Sequence, residues 1–380
     1  MTAQDDPFAF GERLLSILSG GRFVATYKYA VLLALLDLAL EASAKSGAPP
    51  DLVTTEQLAE KVIELCWPHT RAFTQLGRAP LQSSGADALI LRRLAAFRAE
   101  SGATAVTTIF RARGAVSRAS WAKLVADVEW TLISQPLPRL QRIGNSDVEF
   151  LYTIGWNLSD IEGGKLTKRQ VRARNFDNRV HFQLGAAQHL VRLGGMVRPL
   201  VQRDWTACVA RLNKLPIAAL DEFLFGGLER RALDAVRPAL IDLQDGRCFF
   251  CDDVLEHRAE VDHFVPWSRH PNNAIENLVV AHSVCNSSKS DYLPDCDHVK
   301  TWMERNVARA SDLSTAASLA NWESDHIATW GKDASVAVAR TIYLKLPSDY
   351  QLWSARAPAP PQRPTVFAPI DHHLLATVFP

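Results

Sequence analysis

Two short pairs of metal-ligand residues constrain this chain more than any other feature. The first pair is Cys248 and Cys251, the second is His282 and Cys285, and two residues separate the members of each pair. A Cys-x-x-Cys turn places two sulfurs on one side of a tight loop, and a second pair at the same spacing completes a tetrahedral Zn²⁺ site. Four protein ligands leave no open coordination position, so the spacing predicts a structural zinc that holds together a small hairpin and helix.

The use of cysteine agrees with a metal site. The chain has six cysteines, four of them between 248 and 296, which favours a metal site in a reducing compartment over a disulfide framework. Cys296 and His298 lie close enough in sequence to replace a ligand, although their spacing to Cys285 is less suitable.

Nothing in the sequence predicts export or a membrane span. The N-terminus, MTAQDDPFAF, lacks the basic start and apolar run of a signal peptide. The longest apolar run, Ala30 to Leu36, is too short to cross a bilayer and predicts a buried helix. We therefore expect a cytoplasmic protein without a membrane partner.

A second pattern lies between and just after the two ligand pairs. Asp262 and His263 end a strand-like run, AEVDHFV, in which neighbouring side chains point to opposite faces. A histidine with a pKa near 6.5 is suited to remove a proton from water at neutral pH. Asn277 then opens an apolar run, and Asn286-x-x-Lys289 follows the second ligand pair.

Taken in order, these residues resemble the zinc-containing branch of the HNH (ββα-metal) endonucleases. The resemblance is confined to residues 245–293. It implies that Asp262 and Asn286 bind one Mg²⁺ or Mn²⁺ and that His263 acts as general base. It also implies that Asn277 ties the loop and orients His263 by hydrogen bonding.

The chain departs from many members of that family at two positions. It has His282 where many have cysteine, and Asn286 where many have histidine. Imidazole is an ordinary zinc ligand, and an amide oxygen beside a carboxylate prefers a hard cation. Lys289, one helical turn after Asn286, either meets the phosphate or the leaving group, or is a solvated helix lysine.

The expected fold class is α+β: a mostly helical N-terminal region, a small zinc-stabilised ββα-metal domain and a helical C-terminal extension. A helical pair is expected over 180–213, and a strand over the run TAVTTIF at 104–110. The expected divisions are a helical domain at 1–150 with a winged-helix-like part at 54–115, a recognition region at 151–235, the nuclease domain at 236–310, and an extension at 311–380 with a Pro-rich linker at 357–364.

The formal net charge is only +1, so any nucleic-acid-binding surface must be local. Residues 165–179 carry six cations against one acid, and we expect DNA contacts at Lys168, Arg169, Arg172 and Arg174. A second basic cluster comprises Arg92, Arg93, Arg98, Arg111, Arg113 and Arg118. Either cluster lines a DNA groove or is simply a solvated helix face.

Three functions stay open at this point. The first is a metal-dependent endonuclease acting on DNA, in restriction or in defence against phages and mobile elements. The second is a zinc-stabilised nucleic-acid-binding module without catalysis. The third is an effector subunit that is active only with a sensor or regulatory partner; a homodimer is also open.

Overall fold

The computed structural model describes residues 6–20, 26–84, 88–105, 107–143, 146–226, 233, 235–255, 259–320, 322, 334–355 and 366–379. The chain forms two compact units, Met1–Gly227 and Leu228–Pro380. Residues 151–227 therefore belong with the first 150, and residues 311–380 belong with the segment that carries the metal-ligand pairs. The expected Pro-rich linker at 357–364 lies outside the described residues.

The first unit is mainly helical. Its described helices are α1 (Pro7–Gly20), α2 (Tyr27–Ser46), α3 (Thr55–Cys66), α4 (Leu89–Glu100), α5 (Ile109–Gly114), α6 (Arg118–Ser134), α7 (Leu158–Glu162), α8 (Lys168–Arg172), α9 (Ala186–Asn213) and α10 (Ile217–Asp221). Its described strands are β1 (Leu52–Thr54), β2 (Arg142–Ile143), β3 (Ser146–Asp147), β4 (Tyr152–Ile154) and β5 (Arg179–Phe182). β5 pairs antiparallel with β1 and β4 to form a small sheet, and β2 pairs with β3.

Helix α2 lies in the core of this unit. It is buried on nearly every face and packs against α3 and α9, as its apolar sequence predicts. The two polar residues Asp37 and Arg198 form a buried ion pair between α2 and α9. Burial lowers the pKa of Arg198 to about 9.

Two local expectations in this unit are wrong. The described residues of 104–110 do not form a strand: the side chain of Thr108 accepts a hydrogen bond from the N–H of Arg111 and caps helix α5. Within the described residues of 54–115 no strand follows β1, so the expected wing is missing there. The expected helical pair at 180–213 is instead β5 followed by the single helix α9, which contains Pro199.

The second unit carries the metal-ligand pairs. Its described elements are α11 (Arg237–Leu243), β6 (Ala259–His263), β7 (Leu278–His282), α12 (Ser283–Lys289), α13 (Cys296–Ala308), α14 (Ala310–Leu319), α15 (Ala334–Tyr343), β8 (Gln351–Ser354), β9 (Val366–Pro369) and α16 (His372–Val378). The small antiparallel sheets and the helices on them confirm the α+β fold class. None of the described helices is both long and apolar enough to cross a membrane.

Strand β7 lies between two apolar clusters of this unit. Val279 and Ala281 belong to a cluster with Phe264 and Trp302, whereas Leu278 and Val280 belong to a second cluster. This division follows from the alternation of side chains along a strand. A strand that is buried on both faces reads as a continuous apolar run, as Leu278–Ala281 does.

Candidate active site and metal centre

The two ligand pairs come together in the structure. One ligand atom from each of Cys248, Cys251, His282 and Cys285 lies within 4.8 Å of the other three. A tetrahedral zinc with bonds of 2.0–2.3 Å needs ligand atoms roughly 3.5 Å apart, so a small contraction of the cluster would satisfy the ion. The donor set and its closed geometry fit a structural metal ion.

Hydrogen bonds favour the forms of His282 and Cys248 that bind a metal ion. The Nε2 of His282 lies 3.1 Å from the carbonyl oxygen of Val254, while its Nδ1 lies 3.3 Å from the Sγ of Cys251. Donation from Nε2–H to the carbonyl leaves the Nδ1 lone pair facing the cluster. A hydrogen bond from Cys285, assisted by main-chain N–H groups, lowers the pKa of the Cys248 thiol to about 4 against the effect of burial. The thiolate is the form that binds metal.

The β6–β7 hairpin and helix α12 bring the second set of residues together. β6 pairs antiparallel with β7 so that Ala259 faces His282 and His263 faces Leu278. Helix α12 follows β7 directly and packs on both strands. The Cys₃His cluster therefore lies at one end of the same ββα unit that carries Asp262, His263 and Asn286.

Asp262 and Asn286 both lie where β6 meets α12. The Nδ2 of Asn286 donates to Glu260 Oε2 at 2.8 Å, and the Nζ of Lys289 lies 2.9 Å from Asp262 Oδ2. Glu260 and Asp262 are two residues apart and so lie on one face of the strand. Because Glu260 holds the amide nitrogen of Asn286, the amide oxygen is left for another ligand.

The carboxylate of Asp262 is suited to receive a cation. Its Oδ1 accepts a hydrogen bond of 2.8 Å from the N–H of His263. Its Oδ2 is buried and, although the Lys289 ammonium is near, it has no hydrogen bond of good geometry from the residues that the structure describes. A buried carboxylate oxygen is a ligand that suits a hard cation such as Mg²⁺ or Mn²⁺, and here the Lys289 ammonium lies 2.9 Å from it.

Lys289 is placed differently from either sequence expectation. Its side chain is 0% exposed, so it is neither a solvated helix lysine nor in reach of a phosphate in this arrangement. The ammonium donates to the carbonyl of His263 at 2.9 Å and pairs with Asp262. Lys289 therefore ties α12 to the end of β6.

His263 lies at the end of β6, where its half-buried ring faces the following loop. Its Nε2 lies 2.8 Å from Asn273 Oδ1, and the ring is tilted against that of Trp267, 5.3 Å between centroids. The amide oxygen can only accept, so Nε2 carries the proton and Nδ1 keeps its lone pair. Burial lowers the pKa of His263, although Asn273 and Asp262 act in the opposite direction. The neutral imidazole is thus favoured, which is the form that a general base needs.

Asn277 is fully buried and joins the two ends of the loop after His263. Its side chain donates to the carbonyls of Val265 and Asn272 and accepts from the N–H of Val265 at 2.9 Å. These contacts are those of a residue that ties the loop, which is the first of the two roles that the resemblance implies for Asn277. The direct contact with His263 comes from Asn273 instead.

Sequence reasoning missed three residues at this site. Glu260 could have been found, because it lies two positions before Asp262 on a predicted strand. Asn273 follows another asparagine in a loop, where no local pattern predicts its contact. Trp322 donates its indole N–H to the Asn273 carbonyl at 2.8 Å, and no pattern predicts this contact, which spans 49 residues of sequence.

Helix α13 also supports the loop from outside the motif. The Trp302 ring stacks on Phe264, with 4.6 Å between centroids and an angle of 4°. Trp302 and Arg305 donate to the carbonyl of Glu276 at 2.7 and 2.6 Å, respectively. The loop between His263 and Asn277 is therefore held by aromatic packing and main-chain hydrogen bonds.

The expected DNA-contact residues lie in the first unit. Lys168 and Arg172 contact Asp127, and Arg174 contacts Glu129 and Glu56. Arg169 is exposed on α8. In the second basic cluster, Arg98 packs over Trp67 and Arg113 over Trp121, which gives both a structural role.

Comparison with known protein families agrees with this geometry. Residues 247–295 match a family described as HNH endonuclease. No curated protein and no solved structure matches the chain. The matched segment begins just before Cys248 and ends after α12, so it contains the metal cluster and the β6–α12 site. Over residues 247–295, the chain therefore carries a domain of the HNH endonuclease family, with a Cys₃His cluster that can hold a metal ion.

Proposed function

We propose that this protein is a metal-dependent endonuclease that hydrolyses phosphodiester bonds in DNA. The observation that carries the proposal is the grouping of Asp262 and Asn286 between β6 and α12, with His263 beside them at the strand end. A purely structural zinc module has no need of these three side chains in one place.

In this proposal each residue has a separate task. Asp262 and Asn286 would hold Mg²⁺ or Mn²⁺, an ion that neutralises charge developing on the phosphate when it is bound. The Nδ1 of His263 takes the proton from the attacking water. Asn277 keeps the loop in place, and Lys289 holds Asp262 by its buried ion pair, in place of the phosphate contact considered from the sequence.

We assign Zn²⁺ to Cys248, Cys251, His282 and Cys285, with a structural role. Three sulfurs and one nitrogen in a closed set are typical of structural zinc. The hairpin and α12 are short, so the ion would stabilise a unit that buries little apolar surface by itself.

A plasmid-cleavage assay tests the proposal. Zinc-loaded protein is incubated with supercoiled DNA, with and without added Mg²⁺ or Mn²⁺, so that no chelator disturbs the zinc. We expect cutting only with the added ion, and a loss of about 10²- to 10⁴-fold in His263→Ala. His373→Ala is the matched control, because His373 is an exposed histidine of the same unit. Undiminished cutting by His263→Ala would refute the assignment of the base.

We propose defence against phages or mobile elements as the biological role, supported by the family resemblance. Cells that express the wild type should resist infection, and cells that express His263→Ala should not. Protection without cleavage by the purified protein would favour the effector subunit that needs a partner. Equal infection of both strains would remove the defence role.

A further inference from the structure

A buried carboxylate in the first unit is surrounded by cations from two other helices. Asp127 of α6 is only 4% exposed. Its carboxylate lies 2.6 Å from Arg172 and 2.9 Å from Lys168, both on α8, and 3.5 Å from Arg93 on α4. In the sequence, Arg93 belongs to a different basic cluster from Lys168 and Arg172. The fold brings Arg93 to the same carboxylate as these two residues.

The charges at this place do not balance. Asp127 contributes one negative charge against three positive charges. Burial would raise its pKa, but hydrogen bonds from Lys168 and Arg172 outweigh that effect and lower the pKa, so the carboxylate stays ionised. The side chains of Arg93, Lys168 and Arg172 are 46%, 34% and 47% exposed. The excess of positive charge therefore faces solvent.

Two further cations extend this excess. Lys123 is exposed and lies one helical turn before Asp127 on the same side of α6. Arg169 is exposed on α8 and lies one helical turn before Arg172. An opposing acid, Glu100 at the end of α4, accepts from Ser120 and lowers the positive charge at that edge. We call Arg93, Lys123, Lys168, Arg169 and Arg172 the Asp127 surface.

Other arginines of the 165–179 stretch are compensated. Arg174 lies between Glu129 and Glu56, two acids for one cation. Arg179 forms a bidentate pair with exposed Asp177. The positive excess is therefore a property of the Asp127 surface and not of every cation in that stretch.

We propose that the Asp127 surface binds the phosphate backbone of the DNA that the nuclease domain cuts, an inference that rests on the proposed function. Asp127 holds Arg93, Lys168 and Arg172 in place before binding, so less side-chain entropy is lost when phosphates arrive. Contacts of this kind position the duplex without reading its sequence. They also release counterions, which makes the affinity depend on salt. This gives the N-terminal unit, which carries no recognisable motif, a defined task.

The test compares two triple variants that change the net charge equally. The first is Arg93→Gln, Lys123→Gln and Arg169→Gln, which leaves Lys168 and Arg172 to hold Asp127. The control is Arg179→Gln, Arg203→Gln and Lys300→Gln, three exposed cations that each lie beside one acid. Both are made in full-length, zinc-loaded His263→Ala, and binding of a labelled duplex is measured by fluorescence anisotropy across a salt series.

We expect the first variant to bind more weakly and its slope of log affinity against log salt to be shallower by about one per removed contact. The control should keep the slope of the parent. The inference would be overturned if the parent, His263→Ala, and both triple variants had the same salt slope, or if both triple variants lost slope equally. It would also be overturned if the parent showed no salt-dependent binding. Plasmid cleavage is measured separately with the protein that keeps His263. If that protein cuts DNA while the first triple variant keeps the salt slope of its parent, this surface is rejected and the proposed function still stands.

Discussion

At the scale of single residues, Asn273 determines which ring nitrogen of His263 carries the proton. It accepts from Nε2 at 2.8 Å and so leaves Nδ1 as the basic nitrogen of the ring. Partners of this kind fix the tautomer and the ring orientation of a functional histidine. The sequence gives no sign of this role, because the contact depends on the path of the loop from Phe264 to Asn277.

Removing this partner should slow the reaction without weakening substrate binding. We expect Asn273→Ala to lower kcat by about 10- to 100-fold and to leave KM nearly unchanged. Asn273→Asp keeps an acceptor oxygen and should restore most of the activity. Steady-state cleavage kinetics of both variants check this. A rise in KM at constant kcat, or no rescue by aspartate, would contradict the role of Asn273.

We expect His69 to make the stability of the first unit depend on pH. The ring is buried, its Nε2 lies 3.1 Å from the Leu224 carbonyl, and burial lowers its pKa to about 3. The unfolded chain binds a proton near pH 6.5, whereas the folded chain does not until about pH 3. The stabilisation by neutral His69 is therefore complete above pH 6.5 and is lost as the pH falls from 6.5 towards 3.

The variant His69→Gln isolates this effect. Between pH 7.5 and 5, the urea midpoint of the first unit should fall more in the wild type than in the variant. Equal falls would show that other groups produce the pH dependence. Both series are measured by urea titration at constant ionic strength.

At the scale of elements, sequence patterns predicted the features that depend on residues close together in the chain. Strand β6 follows from its alternation, and the metal ligands follow from their spacing. The strand expected at 104–110 failed because Thr108 caps a helix there. The break expected within 180–213 failed because α9 packs against α1, α2 and α10, which stabilises one long helix despite Pro199.

The indole of Trp322 connects the C-terminal extension to the loop between His263 and Asn277. It donates to the Asn273 carbonyl from outside the matched family segment. We expect Trp322→Phe, which removes only the N–H and the smaller ring, to reduce kcat several-fold by loosening Asn273. Trp156→Phe loses an equivalent bond to the Ile133 carbonyl in the first unit and should leave kcat unchanged. Equal kcat in both variants, measured by plasmid cleavage, would contradict this connection.

At the scale of the whole molecule, the sequence expectation placed a boundary at 235/236, and the structure divides the chain after Gly227. The pair Gly226–Gly227 is a local sign of this division, whereas nothing local shows that the core of the first unit joins α2 to Val201 and Trp205 of α9. Such contacts between distant parts of the chain have no local signature. The contact of Arg93 with Asp127, beside Lys168 and Arg172, has no local signature for the same reason.

The two compact units predict two unfolding transitions. Because zinc would bind only the second unit, Cys285→Ser should lose the ion and lower one transition while the other stays in place. Cys208→Ser is the control, since Cys208 is a buried cysteine of the first unit. Elemental analysis should give about one zinc per chain for the wild type and the control. A single transition in calorimetry, or full zinc in Cys285→Ser, would contradict this division of roles.

The most direct test of the central claim is chemical rescue of the missing base. In His263→Ala with Mg²⁺ or Mn²⁺ present, added imidazole should restore plasmid cleavage in proportion to its neutral form, because it can take the proton that His263 Nδ1 would take. Asp262→Ala should not respond, since imidazole cannot replace a carboxylate that holds the cation. Equal recovery of both variants, or none in His263→Ala although it binds DNA normally, would contradict the assignment of His263 as the base.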